Sequence, residues 1–454
     1  MTDLSMTLAK QAWAEFGGDP ALADRWLTFE GEGALPSAFA VTDVAAASMA
    51  SAGLALAELL GGAPVTVDRR LTAFWFGWSI REIGWKRPWH WDPIAGDYRT
   101  ADGWLKLHPN APAHRAAAMK VLGGPLADRP ETEAKIALWK GAELEAAIVA
   151  AGGACAQMRT QAQWAEHPQG KAVAAEPLAY VETFPEVAPS AWRPTPGRPL
   201  QGLKVLDLTR ILAGPIAARF LAGYGAQVLR IDPPDWDEPG IIPEIALGKR
   251  CARLDLKTPQ ARARVEALMS EADILLHGYR PGALDALGFS PERRRQIRPD
   301  LVDVSLCAYG WTGPWAGRRG YDSLMQLSTG IAETGMRWAK DDKPHSLPVQ
   351  ALDHATGYFL AASALRGLAA RVRGEGGRRA RLSLARTAKF LTDAGPNPDQ
   401  PAFAPETEAD WASEIEQTGW GPARRIKAPM LVDEAPMGWD LGAPELGTHE
   451  AAWV

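Results

Sequence analysis

Leu203-Lys-Val-Leu-Asp-Leu208, then 215–223, then Ala226-Gln-Val-Leu-Arg-Ile-Asp232, reads as strand, helix, strand. The first run is short, apolar and continuous, as a strand buried on both faces must be. The second is apolar on one helical face, and the third repeats the strand pattern. Downstream come a helix over 261–271, a strand at 273–276 and another at 301–306. Strands alternating with helices predict an α/β fold: a Rossmann-like doubly wound parallel sheet. Ligands in such sheets bind beyond the carboxyl ends of the strands, which points to the loops 209–215, 277–282 and 307–313.

Further downstream, Gln350-Ala-Leu-Asp-His-Ala-Thr-Gly357 passes from a loop into an apolar helix, with Asp353 near the helix start. An Asp there has two uses. It can cap free backbone N–H groups, or, favoured as an anion by the helix dipole, attack an electrophile. His354 is adjacent, but helix neighbours do not face each other, so it is a poor base for Asp353.

Upstream, residues 38–43 read as a strand, 44–60 as an Ala-rich helix ended by Gly61-Gly62, and 65–68 as a short strand, a β-α-β unit. A hairpin around Asp102-Gly103, helices at about 113–122, 130–139 and 142–152, and a loop and strand over 167–181 form a smaller α+β domain. The expected divisions are 1–92, a degenerate large-domain-like segment; 93–185, the small domain; 186–198, a Pro-rich linker; 199–395, the Rossmann-like domain; and 396–454, a tail. Asp43 and Asp68 are spaced like Asp207 and Asp232, which suggests an internal repeat whose first copy lacks a counterpart of the Asp353 stretch.

The 454 residues allow two to four domains with proper cores. A net charge of -5 gives no support to a nucleic-acid or membrane-surface role, so an anionic ligand needs local basic clusters. Three scattered cysteines have neither metal-ligand spacing nor a disulfide framework, which fits a reducing cytoplasm. The N-terminus does not read as a secretion signal, and no apolar run is long enough to span a membrane.

Gly248 to Lys257 alternates, with Arg253, Asp255 and Lys257 on one face: an edge strand with a charged face, or a phosphate-binding strip. Tyr279-Arg-Pro-Gly282 is a turn that can place Arg280 on a phosphate and Tyr279 against a base. Arg318-Arg319 adds charge beside Tyr321-Asp322. Arg293-Arg-Arg295 reads as surface and His277 as a loop histidine. Gly-x-Gly-x-x-Gly, Walker, nucleophile-elbow and zinc patterns are absent.

Lys204-Val-Leu-Asp-Leu-Thr, Ala213-Gly-Pro215, Gly225 to Asp232, Gly248-Lys-Arg250, Leu254-Asp-Leu-Lys257, Tyr279-Arg-Pro-Gly282 and Leu287-Gly-Phe289, in that order, resemble the class III CoA-transferases, whose fold the alpha-methylacyl-CoA racemases share. The order of domains suggests a fused or rearranged member. The resemblance implies Asp353 as catalytic carboxylate, with Tyr321 and Asp322 beside it. It assigns coenzyme A to Arg210, Ala213, Leu254, Lys257, Tyr279, Arg280 and Arg319. It implies an acyl-CoA and a carboxylic acid acceptor as partners, no tightly bound cofactor, no metal, and an interlocked homodimer or an intrachain pseudo-dimer. The expected activity is acyl-CoA:carboxylate transfer through a covalent aspartyl intermediate. Alternatives are a racemase or epimerase of the same fold, or a non-catalytic CoA-binding protein. Racemases carry His-Asp where this chain has Tyr321-Asp322, and a tyrosine, with a pKa of about 10, is a poor base near neutral pH.

Overall fold

The structure, a computed structural model, describes residues 3–89, 91–126, 128–184 and 190–454. Among the first elements are α1 (Leu4–Glu15), β1 (Leu27–Glu30), α2 (Val41–Leu59), β2 (Val65–Asp68) and α3 (Arg69–Gly77). Residues 38–43 do not form the expected strand: Val41 opens α2, and Asp43 is its third residue. Val41 and Thr42 favour a strand locally, but the following Ala-rich run carries helix and is buried throughout, so packing overrides local preference. The parallel partner of β2 is β1, with Leu27 opposite Val65.

In the small unit, strands Gly96–Arg99 and Trp104–Leu107 form the expected hairpin. A third strand, Cys155–Gln157, was not anticipated. Helices Pro112–Leu122 and Gly141–Ala150 pack on this sheet around Ile94, Tyr98, Leu105, Leu144 and Ile148. Where a loop and strand were expected over 167–181, the chain forms helix Pro168–Ala174 and then β3 (Tyr180–Phe184). β3 leaves the small unit and joins the large sheet. Of the expected linker, 186–189 lies outside the described residues.

The large sheet continues with β4 (Lys204–Leu208), α4 (Ala213–Gly223), β5 (Gln227–Asp232), β6 (Lys249–Arg253), β7 (Ile274–His277) and β8 (Val302–Cys307). It closes with α5 (Asp322–Ser328), α6 (Ala351–Arg373), β9 (Gly377–Ser383) and α7 (Leu384–Asp393). The strand order is β6-β5-β4-β7-β8-β9-β3, parallel except for the β9–β3 pair. Alternation sends Val205, Val228, Ile274 and Val304 to one apolar layer and Leu206, Leu229 and Leu275 to the other. The sheet is thus buried on both faces and doubly wound. Its order reverses between β4 and β7, where a ligand crevice opens at the carboxyl ends.

α6 packs against both α4 and α2. Small residues make this possible: a Cβ on Gly357 would lie 2.6 Å from the Ala213 carbonyl oxygen and 2.8 Å from Ile216 Cβ. An ion pair between Arg366 and Glu58 ties α6 to α2. The tail returns as β10 (Met430–Val432), antiparallel to β2, and Trp439 stacks on Trp75 at 5.6 Å. Among the described residues, no helix is long and apolar enough to cross a membrane.

The expected repeat of Asp43/Asp68 with Asp207/Asp232 does not form; a different pair of segments shares one order of elements. Helix–strand–helix α2-β2-α3 matches α6-β9-α7. In each, the strand's last residue caps the next helix: Asp68 accepts from the Leu71 N–H at 2.8 Å and Ser383 from the Arg386 N–H at 3.2 Å. Asp43 and Asp353 are both third residues of their helices. Asp207, matched to Asp43 from sequence spacing, lies instead on β4 and is bound by Lys249 at 2.8 Å.

Candidate active site

A helix start leaves backbone N–H groups in need of acceptors. At α6, Gln350 precedes the first turn without capping it. The acceptor is Asp322, first residue of α5: its Oδ2 takes the N–H groups of Leu352 and Asp353, both at 2.9 Å. Its Oδ1 accepts from Gln326 Nε2 at 2.5 Å, and Gln326 in turn accepts the Leu347 N–H at 2.8 Å. Capping is therefore done by Asp322, and Asp353 has no part in it. The Asp353 carboxylate, 4% exposed, borders a cavity of 360 Å³ walled also by Trp91, His108, Ile211, Trp236, Glu238 and Tyr321.

Burial holds the Asp353 carboxyl well above the usual carboxylate range, and the charge of Asp322 adds to the effect. Burial pushes Asp322 up to about 6, opposed by the N–H groups it accepts and by the Gln326 amide. Hydrogen bonds to Asp322 offset part of the effect of its burial, whereas burial and the Asp322 charge both raise Asp353. Tyr321 lies with its ring 4.0 Å from that of His108 and its hydroxyl 3.4 Å from His114 Nδ1. Burial raises the Tyr321 phenol and lowers His108 to about 3 and His114 to about 4, so both imidazoles are neutral at neutral pH.

The switch point brings two expected residues together. Arg210 follows β4 and Tyr279 follows β7; Arg210 Nη2 donates to the Tyr279 hydroxyl at 3.3 Å. The Arg210 guanidinium lies 5.2 Å from the Tyr279 ring centre and 5.5 Å from that of Trp236. Ile211 has φ of 65°, a left-handed conformation costly for a β-branched residue. Its N–H donates to Glu238 Oε1 at 2.8 Å, which fixes the strained turn. Ile211 and Trp236 lead from this aromatic and cationic cluster into the Asp353 cavity.

Arg280 and Arg319 form a second positive spot. Burial and the neighbouring Arg319 charge both lower the proton affinity of Arg280. Neither has a carboxylate partner among the described residues; Arg280 donates only to the Gly317 carbonyl, at 3.3 Å. Two adjacent cations so placed suit an anion. The alternating strip is not assembled, because β6 ends at Arg253. Arg253 holds the Trp236 loop through the carbonyls of Pro233, Pro234 and Trp236, at 3.0, 3.0 and 2.6 Å. Lys257 lies exposed beyond the strand. Leu254 packs with Tyr279 on the outer apolar cluster, and Ala213 is buried at the start of α4.

Three other expectations change. His277 is buried at the end of β7, with Nε2 3.5 Å from Asp303 Oδ1. Arg294 is no surface residue: it is 2% exposed and pairs with Asp303 at 2.7 Å. The 307–313 loop is fastened elsewhere, since Glu176 Oε1 accepts the N–H groups of Trp311 and Thr312, both at 2.8 Å. Sequence reasoning missed Trp236, His108, His114 and Glu238. For Trp236 and Glu238 the signal was present: their loop leaves the carboxyl end of β5, beside the crevice. The two histidines come from the small unit and had no local signal.

The family model for CoA-transferase family III matches residues 200–397. The chain is 34% identical over 192 residues to a probable fatty acyl-CoA transferase of Mycobacterium tuberculosis, covering 39% of this chain and 48% of that protein. It is 32% identical over 192 residues to a succinyl-CoA--D-citramalate CoA-transferase of Chloroflexus aurantiacus, covering 39% and 47%. It is 34% identical over 200 residues to a formyl-CoA:oxalate CoA-transferase of Escherichia coli, covering 41% and 47%. The chain thus spans about half the length of these curated relatives.

Proposed function

We propose that this chain, whose residues 200–397 are CoA-transferase family III sequence, moves coenzyme A from an acyl-CoA to a carboxylic acid, with Asp353 as the covalent nucleophile. The observation that carries this is the division of labour at α6: Asp322 caps the helix, and the Asp353 carboxylate is left facing a cavity. The relatives' names, which pair CoA thioesters with carboxylic acids, support the same chemistry.

The ionised Asp353 oxygen attacks the thioester carbonyl; the C–S bond breaks, and an acyl-aspartyl anhydride and CoA thiolate result. The thiolate attacks the aspartyl carbonyl, releasing the donor acid as its carboxylate and leaving an aspartyl-CoA thioester. The acceptor carboxylate attacks that thioester, giving a new anhydride and thiolate. Attack of the thiolate on the new acyl carbonyl forms the product thioester and frees Asp353. One nucleophile serves both exchanges. Asp353 releases its proton to solvent before it attacks, and the neutral Tyr321, which lines the same cavity, would serve as a hydrogen-bond donor there. Arg210, Tyr279 and Trp236 suit the adenine and phosphate end of CoA, with Arg280 and Arg319 as a second phosphate contact.

The test is acceptor-dependent formation of a new acyl-CoA. It should occur with the wild-type chain and fail with Asp353→Asn; transfer undiminished by that change would refute the nucleophile. A second reading is favoured by one observation: His108 brings a neutral imidazole to the same cavity as Asp353. With Asp353 it would make an acid/base pair for racemisation of a 2-methylacyl-CoA. Rapid, acceptor-independent α-deuteration in deuterated water would establish that reading instead.

A further inference from the structure

We infer that a second cavity, built in part by the N-terminal unit, holds the body of the carboxylic acid and selects bulky apolar monocarboxylic acids. This rests on the transferase reading above. The cavity, 300 Å³ in volume, shares Trp91, Asp322, Ser323 and Gln350 with the Asp353 cavity, so the two meet at the start of α6. Its walls are Phe76, Gly77 and Trp78 at the end of α3, with Leu212 and the segment 347–349 before α6. Residues 76–78 lie outside the stretch that matches the family, so this wall comes from the N-terminal part of the chain.

The lining specifies the ligand. Aromatic and aliphatic side chains favour an apolar body. The single lysine, Lys106, is already paired with Asp97 at 2.9 Å. The Asp353 cavity is lined by Asp92, Asp235, Asp237 and Glu238, with neither Lys nor Arg among its lining residues. A second carboxylate on the substrate would therefore meet repulsion and, among the described residues, no available cation. His354 also borders the cavity and is 1% exposed, and among the described residues its Nδ1 has no hydrogen-bond partner. Its ring is stacked on Phe76 at 4.9 Å, and burial keeps it neutral. The cavity thus suits an aryl or branched aliphatic acid, with room for one hydroxyl or carbonyl against His354.

Gly77 allows a direct test. Gly77 lines the cavity and a Cβ there meets nothing within 4 Å, so Gly77→Leu adds apolar volume at the cavity wall. CoA transfer by the full chain to 3-phenylpropionate, acetate and succinate is measured, and calorimetry follows binding of free 3-phenylpropionate. Wild type should prefer 3-phenylpropionate to succinate, and Gly77→Leu should cut the phenylpropionate-to-acetate ratio of kcat/KM at least about tenfold, the size of a lost apolar contact. Binding of the free acid should weaken equally, while thermal melting verifies folding, with Gly77→Ala as the milder variant. If no acid is transferred yet 3-phenylpropionate binds in a Gly77-dependent way, the cavity assignment holds and the transferase reading falls. Preference for succinate, or a folded Gly77→Leu with an unchanged ratio and unchanged binding, would overturn the assignment.

Discussion

Helices α2 and α6 each carry an aspartate at the third residue, each leads through a strand into a capped helix, and the two pack together. Their aspartates are treated differently. Asp43 Oδ1 accepts the Ser5 hydroxyl at 2.6 Å and Arg69 Nη2 at 3.1 Å, and Arg69 is itself held by Gln400 and the Gly31 carbonyl. Among the described residues Asp353 faces no such cation; its neighbour is a second carboxylate, Asp322, and a cavity lies beside it. The same place in the same order of elements thus holds a structural ion pair in one case and a buried acid of raised proton affinity beside a cavity in the other. What separates them is the neighbour supplied by another element: Arg69 from α3 in the first, Asp322 from α5 in the second.

The largest effect should come from breaking this asymmetry on the α6 side. Asp353→Asn keeps the shape but removes the nucleophile, and CoA transfer should fall at least about a thousandfold with the fold intact. Burial has raised the Asp353 pKa above its unfolded value, so its stabilising contribution is present at low pH and lost as pH rises through the folded value. Melting of Asp353→Asn against wild type should therefore show a relative gain for the variant as pH increases. Asp43→Asn should do the opposite: roughly 3 kcal/mol of stability lost in denaturant titration, because Arg69 is left buried and unpaired, with transfer per folded molecule retained.

Asp322→Asn sharpens the comparison. It keeps an oxygen for the α6 N–H groups and removes the repelling charge. Transfer should rise with pH as Asp353 ionises, and in this variant the rising limb should move to lower pH, measured as kcat/KM against pH. Gly357→Ala forces a methyl group against the Ala213 carbonyl and should cost about 1–3 kcal/mol of stability by overpacking; Gly53, at a different position of α2, has its own close contacts with Met430 and Val65. Smaller effects belong to the positive spots. Arg319→Ala should weaken CoA binding by roughly 1–3 kcal/mol, and Lys257→Ala, exposed beyond β6, by less than about 1 kcal/mol in calorimetry.

Much of the sheet was legible because strands buried on both faces read as continuous apolar runs: β4, β5, β7 and β8 fall within a residue or so of their expected places. Tyr321, Asp322 and Asp353 stand out as residue types in the sequence, yet the capping role of Asp322 does not, since it joins residues 30 positions apart, Asp322 on α5 and Leu352 on α6. The repeat was mispaired because aspartate spacing was matched without knowing that β-branched Val41 and Thr42 open a buried helix. β3 was hidden because edge strands can be polar on one face, and its burial alternates accordingly. His108 and His114 reach the site only through the docking of the small unit, a long-range contact with no periodic signature.

The most direct measurement is intact mass after mixing the chain with 3-phenylpropionyl-CoA and acetyl-CoA in separate runs, followed by hydroxylamine and peptide mapping. If Asp353 is the nucleophile, adducts form in the wild type, and the hydroxamate maps to the peptide containing Asp353 and not to the one containing Asp43. Absence of an adduct under conditions of active transfer, or a hydroxamate on any other carboxylate, would contradict it.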